Sequence, residues 1–254
     1  MTMIIPPAHF AALQEGKAET RHLADMLAID MARLLQRLGL PPTDIAALDL
    51  QNQGFVSRMR RAGTLIGSRY SEAEIRALQS HASDTVRGFA AYATVEALSR
   101  EAPQTAGGFC RAIRPFAADR HFGVREWAWM AVRPALAARL AEAIDTLTPW
   151  VRDPDPNIRR FAVEVLRPRG VWTRHIPALR RDPSPILPLL NPLQTETHKY
   201  VQDSVANWLN DAGKDNPAFV IALCQSWRIA QPDHPGTRRI CRRAQRRLAP
   251  PPDA

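Results

Sequence analysis

The stretch Asn157-Ile-Arg-Arg-Phe-Ala-Val-Glu-Val-Leu-Arg-Pro-Arg169 contains a five-residue pattern that recurs along the chain. The pattern is a small apolar residue, an arginine or other polar residue, any residue, an apolar residue and a small residue. Its copies start 38, 34, 43 and 36 residues apart, which is about the length of two helices and their turns. The period is that of HEAT-type repeats and predicts a right-handed α-solenoid of helix pairs. The copies are Val86-Arg-Gly-Phe-Ala90, Val124-Arg-Glu-Trp-Ala128, Ile158-Arg-Arg-Phe-Ala162, Val201-Gln-Asp-Ser-Val205 and the weaker Thr237-Arg-Arg-Ile-Cys241.

The rest of the sequence also favours helices. Alanine occupies 39 of 254 positions, aromatic residues make up only 7%, and there are 12 glycines. This composition argues against a β-sandwich or a glycine-rich nucleotide loop. Apolar spacing from Leu23 to Leu35 predicts one early helix, and Ser71-Glu-Ala-Glu74 predicts a capping box at the start of another. The 22 prolines lie mainly between periodic segments, so we expect an all-α chain of many short helices.

The repeats suggest how the chain is organised. We expect residues 1–80 to form an N-terminal helical segment that packs on the solenoid. Residues 81–248 then form one continuous repeat domain, and the proline-rich residues 249–254 form a frayed tail.

The charge of the chain predicts an acidic partner. Its 34 basic and 25 acidic residues give a net charge of +9, which favours nucleic acid first and an anionic membrane second. Of the basic residues 31 are arginines, whose planar guanidinium suits phosphate. A GC-rich genome explains that ratio equally well, but it does not explain the net charge. No stretch approaches the ~20 apolar residues that a membrane-spanning helix needs, and we expect no membrane partner.

The three cysteines, Cys110, Cys224 and Cys241, are odd in number and far apart, without metal-ligand spacing. We therefore expect no disulfide framework, no metal, no cofactor and a cytoplasmic location. The apolar N-terminus is too short for a signal peptide. We expect the chain to be a monomer.

A helical wheel places a polar face opposite the core face of each repeated helix. Equivalent faces of a solenoid form one continuous surface. We therefore expect a solvent-facing stripe that runs from carboxylates in the middle to arginines at the C-terminal end. From the second copy onwards its residues are Glu126, Met130 and Arg133; Arg160, Glu164 and Arg167; Asp203, Asn207 and Asn210; and Arg239, Arg243 and Arg246.

The C-terminal end of this stripe belongs to a block of six arginines between positions 238 and 247. Like charges four residues apart destabilise an isolated helix. The block therefore favours contact with a polyanion, with Arg239, Arg243 and Arg246 on phosphates. A solvated basic cap is the alternative. The apolar face of the same helix is too small to insert into a membrane.

Glu126 and Glu164 are the candidate catalytic residues. Surface ion pairs of Glu164 with Arg160 or Arg167 are the simpler explanation on spacing alone, and they would contribute little stability. Two carboxylates in a basic nucleic-acid groove could instead stabilise a developing cationic sugar and orient water, as hydrolysis of a glycosidic bond requires.

The tryptophans divide by position on the wheel. Trp127 and Trp208 fall on the core face and are expected to pack. Trp129 falls near the carboxylates, where it could stack on a base or hold a cationic one. Trp172 lies in a loop after Arg167-Pro-Arg-Gly-Val171 and could stack at the edge of a groove.

Three segments resemble the bacterial DNA alkylation repair glycosylases built from HEAT-like repeats, the AlkC and AlkD families, with AlkC the more similar branch. The resemblance covers about residues 85–248. The segments are Arg125-Glu-Trp-Ala-Trp-Met-Ala-Val-Arg-Pro134, Asn157 to Arg169 as quoted above, and Tyr200-Val-Gln-Asp-Ser-Val-Ala-Asn-Trp-Leu-Asn-Asp211.

The resemblance implies a solenoid that wraps duplex DNA and excises cationic N3- and N7-alkylated purines, a glycosylase of the 3-methyladenine and 7-methylguanine type. It implies excision without extrusion of the base, unlike most glycosylases. Glu126 and Glu164 would then be the catalytic carboxylates, with Arg160 and Arg167 as phosphate contacts and Trp208 at the edge of the cleft. The other DNA-binding residues that we expect are Arg125, Trp129, Arg169, Trp172, Asn207, Arg239, Arg243 and Arg246.

One departure concerns the AlkD branch, which carries an aspartate four residues after a tryptophan. Here Ala131 follows Trp127 at that distance, and Arg133 follows Trp129. Activity would therefore rest on Glu126 and Glu164. Two other functions stay open: a non-catalytic HEAT module for bent or branched DNA, and a scaffold for an acidic protein.

Overall fold

The computed structural model describes residues 5–100, 104–170 and 172–248, and all regular structure in these ranges is helical. The all-α prediction is confirmed. The helices are α1 (Pro7–Gln14), α2 (Leu23–Leu27), α3 (Met31–Arg37), α4 (Pro42–Ala47), α5 (Phe55–Arg69), α6 (Glu72–Ala77), α7 (Asp84–Arg100), α8 (Ala106–Ala117), α9 (Phe122–Ala137), α10 (Leu140–Leu147), α11 (Pro156–Glu164), α12 (Pro177–Arg181), α13 (Leu187–Leu190), α14 (Lys199–Ala212), α15 (Pro217–Ala230) and α16 (Pro235–Ala244). Short 3₁₀ turns lie at Leu50–Asn52, Leu78–Ser80, Thr148–Arg152, Ser184–Ile186 and Asn191–Leu193.

The helices form two compact units, Met1–Val132 and Arg133–Ala254. In the first unit α7 packs against α5, α6 and α8. In the second, α14 packs against α11, α15 and α16. The sequence-based division at residue 80 stays a prediction, and the tail 249–254 lies outside the described residues.

Every copy of the repeated pattern lies on a helix, one each on α7, α9, α11, α14 and α16. The first, fourth and fifth residues of all five copies are buried. The pattern therefore marks the core face of a recurring helix, and the prediction of HEAT-like helical repeats is confirmed.

The second residue of each copy donates a hydrogen bond to the main-chain carbonyl six residues before it. That carbonyl lies in the turn that leads into the helix, so the bond fixes the turn against the first helical residues. The five bonds run from Arg87 to His81 (2.8 Å), Arg125 to Asp119 (2.7 Å), Arg159 to Asp153 (2.8 Å), Gln202 to Glu196 (2.7 Å) and Arg238 to Pro232 (3.2 Å).

Two of these arginines also reach the turn of the following copy. Arg87 Nε donates to Asp119 at 2.8 Å, and Arg159 Nε donates to Glu196 at 2.7 Å. One guanidinium thereby joins its own turn to the next one, and the spacing between consecutive repeats is set by charge-assisted hydrogen bonds.

The early helix differs from the prediction, because the segment from Leu23 to Leu35 forms two helices, α2 and α3. Asp30 caps α3 by accepting a hydrogen bond from the Arg33 amide, and its own amide donates to Gln14 Oε1. An aspartate at this position favours a helix start over a continuous helix. The capping box between Ser71 and Glu74 is present as predicted.

Replacing Arg87 by methionine tests the bond between turn and helix. Arg87 is buried, and its loss removes the donor to the His81 carbonyl and leaves Asp119 with the His121 amide and Glu19 with Arg120. We expect the free energy of unfolding to fall by about 3 kcal/mol, measured by urea unfolding at pH 7. The control is Arg60→Met at an exposed position of α5, where we expect a change within about 0.5 kcal/mol. Equal small effects at both positions would contradict the role of Arg87.

Candidate functional site

The third and seventh positions of the pattern form a polar face on α11, α14 and α16 of the second unit. We call it the polar face, and its residues are Arg160, Glu164, Asp203, Asn207, Arg239 and Arg243, with Arg167 and Arg246 just beyond α11 and α16. On α14, Asp203 Oδ1 pairs with Arg239 Nη2 at 2.7 Å and with Arg243 Nε at 2.9 Å. Arg246 donates to Asn207 Oδ1 at 3.2 Å. Within this unit the equivalent faces meet, as the repeat predicts.

Glu164 lies at the centre of the α11 part of this face. Its Oε1 accepts a hydrogen bond from Arg167 Nη1 at 2.7 Å, and its Oε2 accepts one from Ser204 Oγ at 2.7 Å. Arg160 Nη2 is 3.7 Å from the same Oε2. The glutamate is only 3% exposed, so these groups enclose a charge that would be costly to bury alone.

The cluster continues from Arg167 to the end of α14. Arg167 donates to Asp211 Oδ2 from Nη2 at 2.6 Å and from Nε at 2.9 Å, and Lys214 pairs with the other oxygen of Asp211. Arg160 stacks over the Tyr200 ring, 4.6 Å from its centroid. Three cations thus surround two carboxylates, which leaves this part of the face with an excess of positive charge.

The electrostatics keep Glu164 ionised. Burial alone would raise its pKa, but the charges of Arg160 and Arg167 and the hydrogen bonds from Arg167 and Ser204 outweigh burial and lower the pKa below its usual range. Burial likewise opposes the charge of Arg167, whereas Glu164 and Asp211 raise the pKa of that guanidinium. Both groups are charged at neutral pH.

The exposure predicted for this face is corrected by the structure. Arg160 and Glu164 are buried, and so are Met130, Arg133 and Asn210, which were expected on the same stripe. The wheel treats each helix in isolation, whereas α14 packs against α11 and supplies Ser204, which donates to Glu164. Helix α11 also ends at Glu164, so Arg167 reaches the glutamate from beyond the helix. The expected ion pairs of Glu164 exist, but they are buried rather than on the surface.

Two tryptophans expected at DNA are also buried. Trp208 Nε1 donates to the Leu166 carbonyl at 3.0 Å, and Trp129 Nε1 donates to Glu126 Oε2 at 2.8 Å. Trp208 takes the core position that the wheel gave it. For Trp129 the predicted exposure is wrong, because the indole is buried and contacts the Glu126 carboxylate through its N–H. Contacts of either side chain with DNA stay predictions.

In the first unit, Glu126 and Arg125 are half-buried on α9. Glu126 is oriented by the Trp129 hydrogen bond, which fixes one carboxylate oxygen. Arg125 donates to the carbonyls of Asp119 and Arg120, the structural position shared by the second residue of every copy. Trp127, expected in the core, is buried and meets Phe55 edge-on at 5.3 Å between centroids.

The segment after α11 carries the remaining candidates. Arg169 and Arg180 both bind Asp215 through two nitrogens, at 2.6 to 3.0 Å. Trp172 is 57% exposed and has a positive φ of 58°. Its loop position is as predicted, and its indole is among the few large apolar side chains exposed in the described ranges.

Sequence reasoning missed the partners that complete the face. Ser204, Tyr200 and Asp211 were quoted only as parts of a segment, because nothing local marks them as neighbours of α11. The pairing of Asp203 with Arg239 could have been predicted from the repeat, because both residues occupy the third position of their copies. The helices that carry them, α14 and α16, pack against each other.

Two absences concern the described residues. No group of three or more His, Cys, Asp or Glu residues among them could hold a metal ion. None of their helices combines the length and apolar character that crossing a membrane requires.

Comparisons with known proteins identify relatives of the chain. A family model described as "DNA alkylation repair enzyme" matches residues 61–232. YhaZ of Bacillus subtilis (strain 168), described as an uncharacterized protein, is 40% identical over 118 residues, which are 46% of this chain and 32% of YhaZ. The chain therefore matches about a third of that relative.

Two solved structures share the fold. The alkylpurine DNA glycosylase AlkC of Pseudomonas fluorescens, bound to DNA containing an abasic site analog, has a TM-score of 0.63 at 21% identity, covering 85% of this chain and 60% of AlkC. AlkD2 from Streptococcus mutans has a TM-score of 0.64 at 20% identity, covering 87% of this chain and 100% of AlkD2. At these identities the likeness is one of fold.

The lowered pKa of Glu164 predicts how stability depends on pH. A carboxyl with a lower pKa in the folded chain stabilises it above the unfolded pKa, and this contribution is lost as the pH falls through the folded pKa. We expect the wild type to exceed Glu164→Gln by about 3 kcal/mol at pH 7. The difference should begin to shrink only below about pH 4.5, the ordinary glutamate value.

Urea unfolding of both proteins between pH 7 and pH 3 measures this difference. The control is Glu72→Gln at an exposed glutamate of α6, which should change stability little at any pH. A Glu164 difference that is already lost between pH 6 and pH 5 would contradict the lowered pKa.

Proposed function

Because the chain belongs to the DNA alkylation repair enzyme family, we propose that it is a DNA glycosylase acting on duplex DNA. The substrates are purines alkylated at N3 or N7, as in 3-methyladenine and 7-methylguanine. The base is released without being extruded from the duplex. The observation that carries the proposal is an ionised, buried glutamate, Glu164, held by arginines on the polar face.

The chemistry explains why carboxylates suffice. An alkylated purine is already cationic, so it leaves as a neutral base without a general acid. The bond between C1′ and the purine nitrogen breaks with its electron pair staying on the base, and positive charge develops on the sugar. Water adds to C1′ and loses a proton. A fixed negative charge near the sugar lowers this barrier, because it is oriented before the reaction begins.

We propose that Glu126 and Glu164 supply this fixed negative charge. Each glutamate is tested by its own substitution. Glu126 is half-buried and already oriented by Trp129, so it can meet a sugar without rearrangement. Glu164 is held by Ser204 and Arg167 in the chain without DNA. To touch a sugar directly it must exchange one of these partners.

The arginines supply contacts to the DNA backbone. Arg239, Arg243 and Arg246, together with Asn207, present partly exposed donors along one edge of the polar face. Arg169 and Trp172 do the same from the segment after α11. Arg160 and Arg167 are proposed as phosphate contacts that also keep Glu164 ionised. We also propose Arg125 as a contact to the DNA backbone, although its Nη1 donates a hydrogen bond to a carbonyl in the turn before α9.

A second candidate function is a non-catalytic DNA-binding protein. What favours it is the enclosure of Glu164, whose two oxygens both accept hydrogen bonds and which is 3% exposed. In that case the buried cluster is structural, and the basic surface alone binds DNA. Release of free base separates the two candidates.

We expect the wild-type chain to release free methylated purine from N-methylpurine-containing duplex DNA. Glu126→Gln and Glu164→Gln should each lower the rate by about a hundredfold, since each removes a charge from the transition state and keeps the side-chain shape. DNA affinity, measured by fluorescence anisotropy at a fixed salt concentration, should change little.

The matched control is Glu196→Gln. Glu196 is buried in the same unit and paired with Arg159, so its loss has a similar structural cost without any proposed chemistry. Excision by this variant should stay near the wild-type rate at a temperature where all variants are folded. Tight, salt-sensitive binding with no base release by the wild type would replace the glycosylase by the non-catalytic DNA binder.

A further inference from the structure

Arg133, near the end of α9, has an unusual set of partners for a buried arginine. It is 2% exposed, and its hydrogen bonds to described residues go to main-chain carbonyls. Nη1 donates to Val165 at 2.7 Å, Nη2 donates to Arg167 at 2.5 Å, and Nε and Nη2 both donate to Arg174 at 3.3 and 3.2 Å. A planar guanidinium donates from three separate nitrogens, whereas the three donors of a lysine share one nitrogen and cannot reach acceptors so far apart.

The carbonyls that Arg133 binds lie at both ends of one segment, which we call the Trp172 loop and define as residues 165–170 and 172–174. Val165 and Arg167 follow the C-terminal end of α11, where carbonyls lack intrahelical partners and carry partial negative charge. Arg174 lies at the far end of the loop. A single side chain therefore joins the start of the loop to its end.

Within this loop the backbone is constrained. Trp172 has a φ of 58°, a left-handed backbone conformation that residues other than glycine rarely adopt. The surrounding structure must hold the residue in it. At Gly170 an added Cβ would lie 1.9 Å from Thr173 Oγ1 and 3.1 Å from Arg133 Cζ. The loop therefore fits closely around the guanidinium, and a side chain at position 170 would force Thr173 and Arg133 to shift.

We propose that Arg133 is a positioning residue, which holds the Trp172 loop so that the exposed indole of Trp172 and the guanidinium of Arg167 are fixed before DNA binds. Arg133 is too deeply buried to touch DNA itself. It acts through the indole, 57% exposed, and through Arg167, which donates to Glu164. Ordering the loop in advance removes an entropic cost that binding would otherwise carry.

The charge state of Arg133 agrees with this role. Burial and the nearby charge of Arg167 lower its pKa to about 10, and Glu164 and Asp211 act in the opposite direction. The guanidinium is still protonated at pH 7. Among the described residues its hydrogen bonds go to the three carbonyls and to no carboxylate, so the cation serves the loop.

The ordering of the loop can be measured without DNA, and its effect on DNA rests on the proposed function. The full-length chain is compared with Arg133→Lys, which keeps a positive charge but offers one nitrogen instead of three. Trp172 is isolated by subtracting the signal of a matched Trp172→Phe protein in each background. Time-resolved fluorescence anisotropy then reports how fast the indole moves relative to the whole protein.

In the wild type we expect the Trp172 signal to decay with the tumbling of the protein. In Arg133→Lys a fast component on the nanosecond scale should appear, while circular dichroism stays native. The control is Arg139→Lys, an exposed arginine beyond the end of α9, which should leave the anisotropy unchanged.

A second variant tests the proposal if Arg133→Lys does not fold. Gly170→Ala places a methyl group against Thr173 and Arg133 and disturbs the same contact from the loop side. It should produce the same fast component with an intact core. Unchanged Trp172 anisotropy in a natively folded Arg133→Lys protein, or in Gly170→Ala if the lysine variant does not fold, would overturn the proposal.

The rate of base release provides a second test of the role of Arg133. If the wild type releases base, Arg133→Lys should lower the rate at saturating DNA by about tenfold or more, because a small misplacement of positioned groups is costly. The affinity for undamaged duplex should change much less. Wild type without base release would refute the glycosylase while leaving the anisotropy result to decide the role of Arg133.

Discussion

The hydrogen bond from the second residue of each repeat to the carbonyl six residues earlier is the constraint on which the rest of the structure depends. It occurs in all five copies, four times from arginine and once from Gln202. The bond fixes where each repeated helix begins relative to its turn. The first, fourth and fifth residues then face the core, and the third and seventh residues of neighbouring helices come into register. The meeting of Asp203 with Arg239 and Arg243 follows directly from this register.

A gain in stability does not readily explain why the second unit contains buried ion pairs. Desolvation offsets most of the attraction in a buried ion pair, and apolar side chains of similar size often stabilise a chain equally well. Glu164, Arg167 and Asp211 nevertheless form a continuous buried cluster. The cluster keeps a carboxylate ionised beside a basic surface, an arrangement that would stabilise the cationic transition state of the proposed reaction. Its enclosure explains why exposure alone would not identify it as a site.

The sequence predicted the features that depend on periodicity and on local capping. The five copies lie on helices with the expected core positions, and Ser71 forms its capping box with Glu74. Features that depend on tertiary packing were predicted less well. The exposure of Glu164 was wrong because α14 covers it. The break between α2 and α3 depends on Asp30 and on a contact from Gln14. The partners of Arg133 are main-chain carbonyls 32 to 41 residues away, and no side-chain pattern encodes them.

The most direct test of the account is a crystal structure of the chain bound to duplex DNA that contains an abasic-site analogue. We expect backbone phosphates against Arg239, Arg243 and Arg246, with the Trp172 indole on the duplex. We also expect an oxygen of Glu126 or Glu164 within about 3.5 Å of the abasic sugar or of a water beside it. DNA bound on the opposite side of α16, with no carboxylate near the sugar, would contradict the account.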